Sequence, residues 1–257
     1  MYSKSILSTL FSLIFLIFST SHASVILYDQ NFETLNTPYV DSLAYDDLTQ
    51  QTVNSLYGNQ PVGFAFTQSF TVETINITGG TSFGGAGYSD TTGTGGNYAL
   101  GMLSHVENDK LGLTFNVGTF DFLNLGLDIS SIGVTGFNGP SITATSTSVP
   151  NFRFELRNGG GLNGSLLDFE DVIGVASDPN VFDWTNVLIA LDTTGNTSGD
   201  VTLVIDLLQG DYAAMDNFRI VASDTSRDLA ELAIPTPMML IALGLVLLGY
   251  SQRKLYN

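Results

Sequence analysis

The sequence contains no cysteine. Disulfide bonds, thiolate catalysis and cysteine-ligated zinc are therefore excluded, and a small disulfide-stapled ectodomain with them. Bases are scarce as well: 8 Lys and Arg stand against 25 Asp and Glu, a formal net charge of −17. Lys4 lies in an apolar N-terminal segment, and Arg253 and Lys254 lie at the C-terminal end. The region between holds all 25 acids and only Lys110, Arg153, Arg157, Arg219 and Arg227, so 25 − 5 leaves 20 excess negatives. Such a surface repels nucleic acid and anionic lipid, and it keeps an exported domain soluble. Of two histidines, His22 belongs to the N-terminal segment and only His105 follows it. A Ser-His-Asp triad would need His105. Its surroundings, Leu103-Ser104-His105-Val106-Glu107, contain no nucleophile elbow and no spaced acidic partner. The expectation is a surface or strand-end histidine.

What is present begins with two apolar ends. Lys4 precedes an uncharged run from Ile6 to Phe18, followed by Ser21-His22-Ala23, the layout of a secretory signal peptide with cleavage after Ala23. At the other end, Pro235-Thr236-Pro237 opens an apolar run from Met238 to Tyr250 that contains Gly244 and Gly249, closed by Arg253-Lys254. Proline marks where a helix can begin. The run is shorter than the roughly 20 residues that span a bilayer, and its terminal cations favour the cytoplasmic side. It reads as a transient stop in the inner membrane behind an exported domain. A plain tail anchor of a periplasmic domain is the competing reading. A lipid-anchor signal is disfavoured because such tails end apolar.

This tail resembles the PEP-CTERM sorting signal, the substrate of exosortases in Gram-negative bacteria that make exopolysaccharide. That pattern is a Pro-Glu-Pro-type tripeptide, a Leu/Gly-rich helix and a short basic end. Here Thr236 replaces the central acid, whereas the helix and the basic end match. The resemblance covers about the last 25 residues. It implies recognition near Pro235, Thr236 and Pro237, an exosortase-like enzyme as partner, and delivery to the cell surface or extracellular matrix. The organisation expected is then a signal peptide over 1–23, one domain over 24–231 and a sorting tail with a short transmembrane helix over 232–257.

Between the ends, apolar residues alternate with polar ones. Leu111, Leu113, Phe115 and Val117 form one such run, and Leu123, Leu125, Leu127 and Ile129 another. Phe152, Phe154 and Leu156, and then Val201, Leu203, Ile205 and Leu207, repeat the pattern. Period two with one apolar face means half-buried antiparallel strands. Turn clusters over 158–161 and 193–199 separate them, and residues 81–97 read as a long Gly-rich exposed loop. No stretch has a helical period. The expected fold is an all-β antiparallel sandwich, jelly-roll-like.

The two edges of this domain carry a second resemblance. Tyr28-Asp29-Gln30-Asn31-Phe32-Glu33 and Ala213-Ala214-Met215-Asp216-Asn217-Phe218-Arg219-Ile220 look like the first and last strands of jelly-roll carbohydrate-binding modules. Alternation puts Asp216 on the face of Phe218 and Ile220. The resemblance implies that the two strands lie close together and hold a structural Ca²⁺, with Glu33 and Asp216 as side-chain ligands. Hard oxygen donors from neighbouring strands suit that ion.

Other acids, Asp46-Asp47, the run Asp168-Phe169-Glu170-Asp171 and the stretch from Asp192 to Asp200, read as solvated loop carboxylates. Glycoside hydrolysis would need two of them opposed across a sugar. For sugar stacking, Tyr39, Tyr45, Tyr57, Tyr88 and Tyr98 lie in loop-like stretches, whereas Trp184, beside Val187, Ile189 and Leu191, reads as core. The functional expectation is a non-catalytic surface or matrix protein that binds extracellular polysaccharide, with an extracellular glycan hydrolase as the alternative.

Overall fold

The computed structural model describes residues 24–39, 53–57, 66–68, 72–78, 87–103, 109–132, 149–210 and 212–229. The expected signal peptide over 1–23, the expected sorting tail with Pro235, Thr236, Pro237, Arg253 and Lys254, and also Tyr45, Asp46, Asp47 and His105 lie outside these residues. The strands are β1 (Ser24–Gln30), β2 (Phe66–Gln68), β3 (Glu73–Asn76), β4 (Ser89–Asp90), β5 (Tyr98–Leu103), β6 (Lys110–Asn116) and β7 (Phe122–Ser131). They continue with β8 (Asn151–Asn158), β9 (Leu166–Ile173), β10 (Val181–Phe182), β11 (Thr185–Asp192), β12 (Asp200–Gln209) and β13 (Tyr212–Ser223). One helical turn, α1 (Val53–Leu56), is the only helix among the described residues, and the sequence showed no period for it.

Two antiparallel sheets pack face to face. The first runs β11-β7-β13-β5-β3, with β1 also on β13; the second runs β2-β6-β12-β8-β9. Strand β13 is the spine of the first sheet. On one side it pairs with β7; on the other its first half meets β5 and its second half meets β1, from Gln30↔Phe218 to Ser24↔Ser223. The first and last strands therefore lie side by side, as expected. A two-residue parallel bridge joins β4 to β10. The result is the antiparallel, jelly-roll-like sandwich read from the sequence.

The predicted alternation sets the core. Leu123, Leu125, Leu127 and Ile129 from the first sheet meet Leu111, Leu113, Phe152, Phe154, Leu156, Leu203 and Ile205 from the second, all fully or almost fully buried. Each such side chain contributes about 1.5–3 kcal/mol by leaving water. Aromatic edges lock one end, with Phe32 and Phe218 at 5.5 Å and 89°, and Phe32 and Tyr57 at 5.1 Å and 72°.

The first sheet is covered on its outer face too. Ile75, Ile77, Ala99, Ile132, Phe182, Tyr212 and Ala214 form a second buried cluster, flanked by Tyr88 and Trp184. Beyond the end of β13 the chain doubles back as a strap. Asn124, fully buried on β7, donates to Thr225 O at 3.0 Å and accepts from Arg227 N–H. Leu229 lies over Gly126, where a Cβ would stand 2.5 Å from its Cδ1, and Arg219 Nε donates to Leu229 O at 3.0 Å.

One strand departs from the sequence reading. The acids at 168, 170 and 171 belong to β9 and are not loop residues. Their strand was hidden because its inward positions are Asp168, Glu170 and Val172 and its outward ones Phe169, Asp171 and Ile173, so neither face is consistently apolar.

Candidate functional site

The end of β1, the turn before β5 and the middle of β13 converge on a group of carboxylates. Glu33 follows β1 by three residues. Its Oε1 accepts from Asn97 N–H at 2.7 Å and Tyr98 N–H at 3.1 Å, and its Oε2 from Asn97 Nδ2 at 2.6 Å. The approach demands glycine at 96: with φ at +56°, a Cβ there would stand 2.3 Å from Glu33 Oε1. Asp90 organises the same turn. It accepts from Thr92 N–H, Gly93 N–H and Gly95 N–H, and from the Trp184 indole N–H at 3.0 Å. Burial pushes the Asp90 carboxyl up, but these donors outweigh it and hold it below the usual carboxylate range.

Asp216 lies at an irregularity in β13. Met215 and Phe218 both enter the core although three residues apart, and the pairing with β7 shifts between Asp216 and Arg219. Strict alternation therefore breaks at Asp216, and the expectation that it simply shares a face with Phe218 and Ile220 is corrected. Asn217 absorbs the kink with φ of 52°, a left-handed conformation that Asn tolerates. Its N–H donates to Asp216 Oδ1 at 2.6 Å, and its Nδ2 donates to Thr94 O at 3.0 Å and to Asp128 Oδ2 at 2.9 Å.

Asp216 is 1% exposed. Burial, and then the charges of Glu33, Asp128 and Asp90, push its carboxyl up to about 9. The structure thus brings Glu33 and Asp216 into one electrostatic neighbourhood, as the sequence implied, and adds Asp128 and Asp90, which the sequence did not single out. Among the described residues, no three acidic or histidine side chains converge on one ion position. A Ca²⁺ held by Glu33 and Asp216 would complete its 6–8 oxygens from carbonyls and water. The donors present are of the hard-oxygen type that this ion requires.

A second polar region lies on the outer face of the five-stranded sheet, opposite the core side of the same strands. Cross-strand pairing lays it out in rows. Thr114, Thr202 and Arg157 form one, Gly112, Val204, Glu155 and Phe169 the next, and Lys110, Asp206, Arg153 and Asp171 the third. Arg153 holds Asp171 through two bonds of 2.7 and 2.8 Å and stacks over the Phe169 ring at 4.8 Å. That guanidinium, bonded to its carboxylate, holds Asp171 below the usual carboxylate range. Arg157 pairs with Glu155, and Lys110 Nζ lies 3.1 Å from Asp206 Oδ2. Asp206 Oδ1 and Asn151 Oδ1 are buried acceptors without a hydrogen-bond partner. Asp206 and Arg153 are direct neighbours, and Asn151 is two residues from Arg153 on the same side of β8.

The aromatic candidates are redistributed. Tyr57 is 1% exposed and burial drives its phenol far above its ordinary value, so it is core and no platform. Tyr98 belongs to β5 and packs on Tyr39 at 5.5 Å, and Tyr88 packs on Phe182. Trp184 stacks on Phe182 at 5.2 Å and 12°, so the expectation of a packing role holds.

No family model matches the sequence, and no curated protein does. Solved structures of similar shape were found. The CBM22-1 xylan-binding domain from Paenibacillus barcinonensis Xyn10C aligns with a TM-score of 0.42 and 12% identity, over 79% of this chain and 97% of that one. The C-terminal family 22 carbohydrate-binding module of Clostridium thermocellum Xyn10B gives 0.39 and 13%, over 78% and 96%. The K3 adhesin domain of Lys-gingipain from Porphyromonas gingivalis gives 0.37 and 10%, over 77% and 99%.

Proposed function

We propose that this chain is an exported, non-catalytic protein of the cell surface or extracellular matrix whose sandwich binds polysaccharide on the outer face of the five-stranded sheet. The observation that supports it is the pair of buried acceptors without partners, Asp206 Oδ1 and Asn151 Oδ1, beside arginines already committed to carboxylates. Buried acceptors left unmade cost about 1–3 kcal/mol each, and a sugar hydroxyl can satisfy them once the partly exposed Lys110 and Arg153 side chains beside them swing aside. The acidic surface favours neutral polymers over nucleic acid.

Two further parts belong to the same reading. Ca²⁺ held by Glu33 and Asp216 stabilises the end of the sandwich; the support is the burial of Asp216 beside three other carboxylates. An exosortase-like enzyme recognises Pro235, Thr236 and Pro237, while the apolar segment ahead of Arg253 and Lys254 engages the inner membrane transiently. The support for this last part is the sequence pattern alone.

Titration calorimetry of the exported chain against xylan, a mixed-linkage β-glucan and a galactan tests the binding reading. One of these polymers should bind, and Asp206→Asn and Asn151→Ala should each weaken that binding tenfold or so with little change in melting temperature, about 1.4 kcal/mol per decade. Absence of binding to neutral polymers, or unchanged affinity in both variants, would reject the site. Intact-mass analysis tests the sorting reading: a mature form from Ser24 to the neighbourhood of Pro235 in the surface or medium fraction is expected. A form that keeps Arg253 and Lys254 in the inner membrane would reject it.

A further inference from the structure

The margin of the sandwich at β9 differs from the rest of the described surface in two independent ways. The first is apolar exposure. Strand β9 is the edge of its sheet, paired with β8 alone. Leu166 (48% exposed), Phe169 (48%), Ile173 (67%) and, just past the strand, Val175 (43%) are large hydrophobic side chains open to solvent along one margin. Pairing with β8 sets Leu166 beside Arg157, Phe169 beside Glu155 and Ile173 beside Asn151, all outer-face positions. The register shift at Leu156/Arg157 brings Leu166 into phase with Phe169, so the sequence alone did not reveal the stripe. Edge strands are ordinarily blunted by proline, charged side chains or a bulge. Strand β9 has no proline or lysine, and its bulge and its acids Asp168 and Glu170 leave the outer-face stripe of Leu166, Phe169 and Ile173 uncovered.

The second is charge. Three of the five bases between residues 24 and 231 gather here: Arg153 on Asp171, Arg157 on Glu155, and Arg227 on Glu170 at 3.4 Å. Counting Asp168, four acids face three bases among the described residues, a local balance of −1 within a region that carries 20 excess negatives. Two copies of so acidic a molecule repel each other over most of their surface. At β9 they do not.

We propose that β9 is the contact between two copies of this chain in a two-fold symmetric dimer. A basic partner would find stronger attraction elsewhere on the surface, and anionic lipid would find no cluster of free cations here. A second copy offers the same balanced, apolar margin, and an isologous contact needs only self-complementarity. A two-fold axis at Asp171 sets Phe169 of each copy opposite Ile173 of the other. The contact runs through side chains and not through a continued main-chain ladder, because Asp168 already accepts from Phe169 N–H and from Asp192 N–H, both at 2.8 Å. Four partly exposed side chains per copy make a small interface, so the dimer is weak and transient. Its association should strengthen with salt, which screens the repulsion between the acidic bodies while leaving the apolar contact.

The absence of native cysteine makes a clean test available. Single variants Asp171→Cys, Val25→Cys and Leu188→Cys are made in the full chain. Val25, 47% exposed on β1, is remote from β9, whereas Leu188, 42% exposed, lies on the neighbouring strand β11 but off the apolar stripe. Under mild oxidation Asp171→Cys should form a disulfide-linked dimer several-fold faster than either control. Sedimentation equilibrium of the unmodified chain should show the dimer fraction rising between about 20 and 500 mM NaCl, and Ile173→Lys should abolish that rise with the melting temperature unchanged. Equal cross-linking at all three positions, a salt-independent monomer, or cross-linking in cells only to a different protein would each overturn the proposal.

Discussion

Asp128 and Asp216 stand directly opposite each other across the β7–β13 pairing, and both are buried. Like charges at such a position destabilise a sheet unless a proton, a hydrogen-bond donor or a cation intervenes. Asn217 Nδ2 and Asn186 Nδ2 serve Asp128, at 2.9 and 3.0 Å. The only donor to Asp216 among the described contacts is Asn217 N–H.

The first prediction concerns pH. With its carboxyl raised from 3.8 to about 9, the folded chain keeps a proton on Asp216 that the unfolded chain loses above its ordinary value. The stabilising contribution is complete below about pH 4 and is lost as pH rises towards 9. In EDTA, the melting temperature of the wild type should therefore fall between pH 5 and 9 relative to that of Asp216→Asn. Parallel curves for the two proteins would show that Asp216 does not hold that proton.

Added calcium should reverse the trend. An ion on Glu33 and Asp216 favours the carboxylate form, so the calcium-dependent rise in melting temperature should grow with pH and vanish in Asp216→Asn. An EDTA-treated chain whose melting does not respond to calcium at any pH removes the metal from the reading.

Gly96 and Gly93 offer a matched comparison in one turn. Both have positive φ, +56° and +71°, but a Cβ at 96 meets Glu33 whereas one at 93 meets nothing within 4 Å. Alanine at either position should cost about 1–2 kcal/mol for the left-handed backbone. Gly96→Ala should lose more, and should also lose the calcium response that Gly93→Ala retains.

Asn217 can be tested by two substitutions that separate backbone from side chain. Asn217→Gly tolerates the left-handed φ but removes the bonds to Thr94 O and Asp128, at a cost of about 1–3 kcal/mol. Asn217→Asp turns the donor into a third carboxylate beside Asp128 and Asp216, and its chemical-denaturation midpoint should fall further still.

Core and margin should respond differently to the same truncation. Phe154 is fully buried, and Phe154→Ala should cost about 3–5 kcal/mol. Phe169 is half exposed, and Phe169→Ala should cost less than about 1 kcal/mol while weakening self-association.

The fold was legible wherever one face of a strand is buried and the other wet, because period two is then written in the residues. Strands β6 and β8 are of this kind; β12 is buried on both faces and was legible because Thr202 and Asp206 stay polar and keep the phase. It was legible in β7 as well, although Asn124 and Asp128 there are buried under the strap and the second cluster, since they remain polar and keep the phase. It failed in β9, where the acids Asp168 and Glu170 share the inward phase with Val172 while Phe169 and Ile173 point outward, and in α1, which is one turn long. The site was half legible. Glu33 and Asp216 were found through a strand-end motif, but Asp90 and Asp128 reach them only through a turn and a cross-strand pairing. The acceptors Asp206 Oδ1 and Asn151 Oδ1 are defined by a missing partner, which no spacing encodes.

The strap also determines how the sandwich bears load. A pull arriving along the chain from beyond Leu229 meets Leu229 over Gly126, the Arg219 bond and the two Asn124 bonds before it reaches β13. Once these give way, the force runs lengthwise along the spine strand, which is held by β7 on one side and by β1 and β5 on the other. With the opposing hold at the far end of the sheet those hydrogen bonds are sheared together, whereas a hold through Ser24, paired with Ser223 at the same end, peels them one at a time. A domain tethered through this end and held at the far end of its sheet would let go of its strap at low tension and keep its sheet at higher tension, behaving as a short extensible spring ahead of a rigid body.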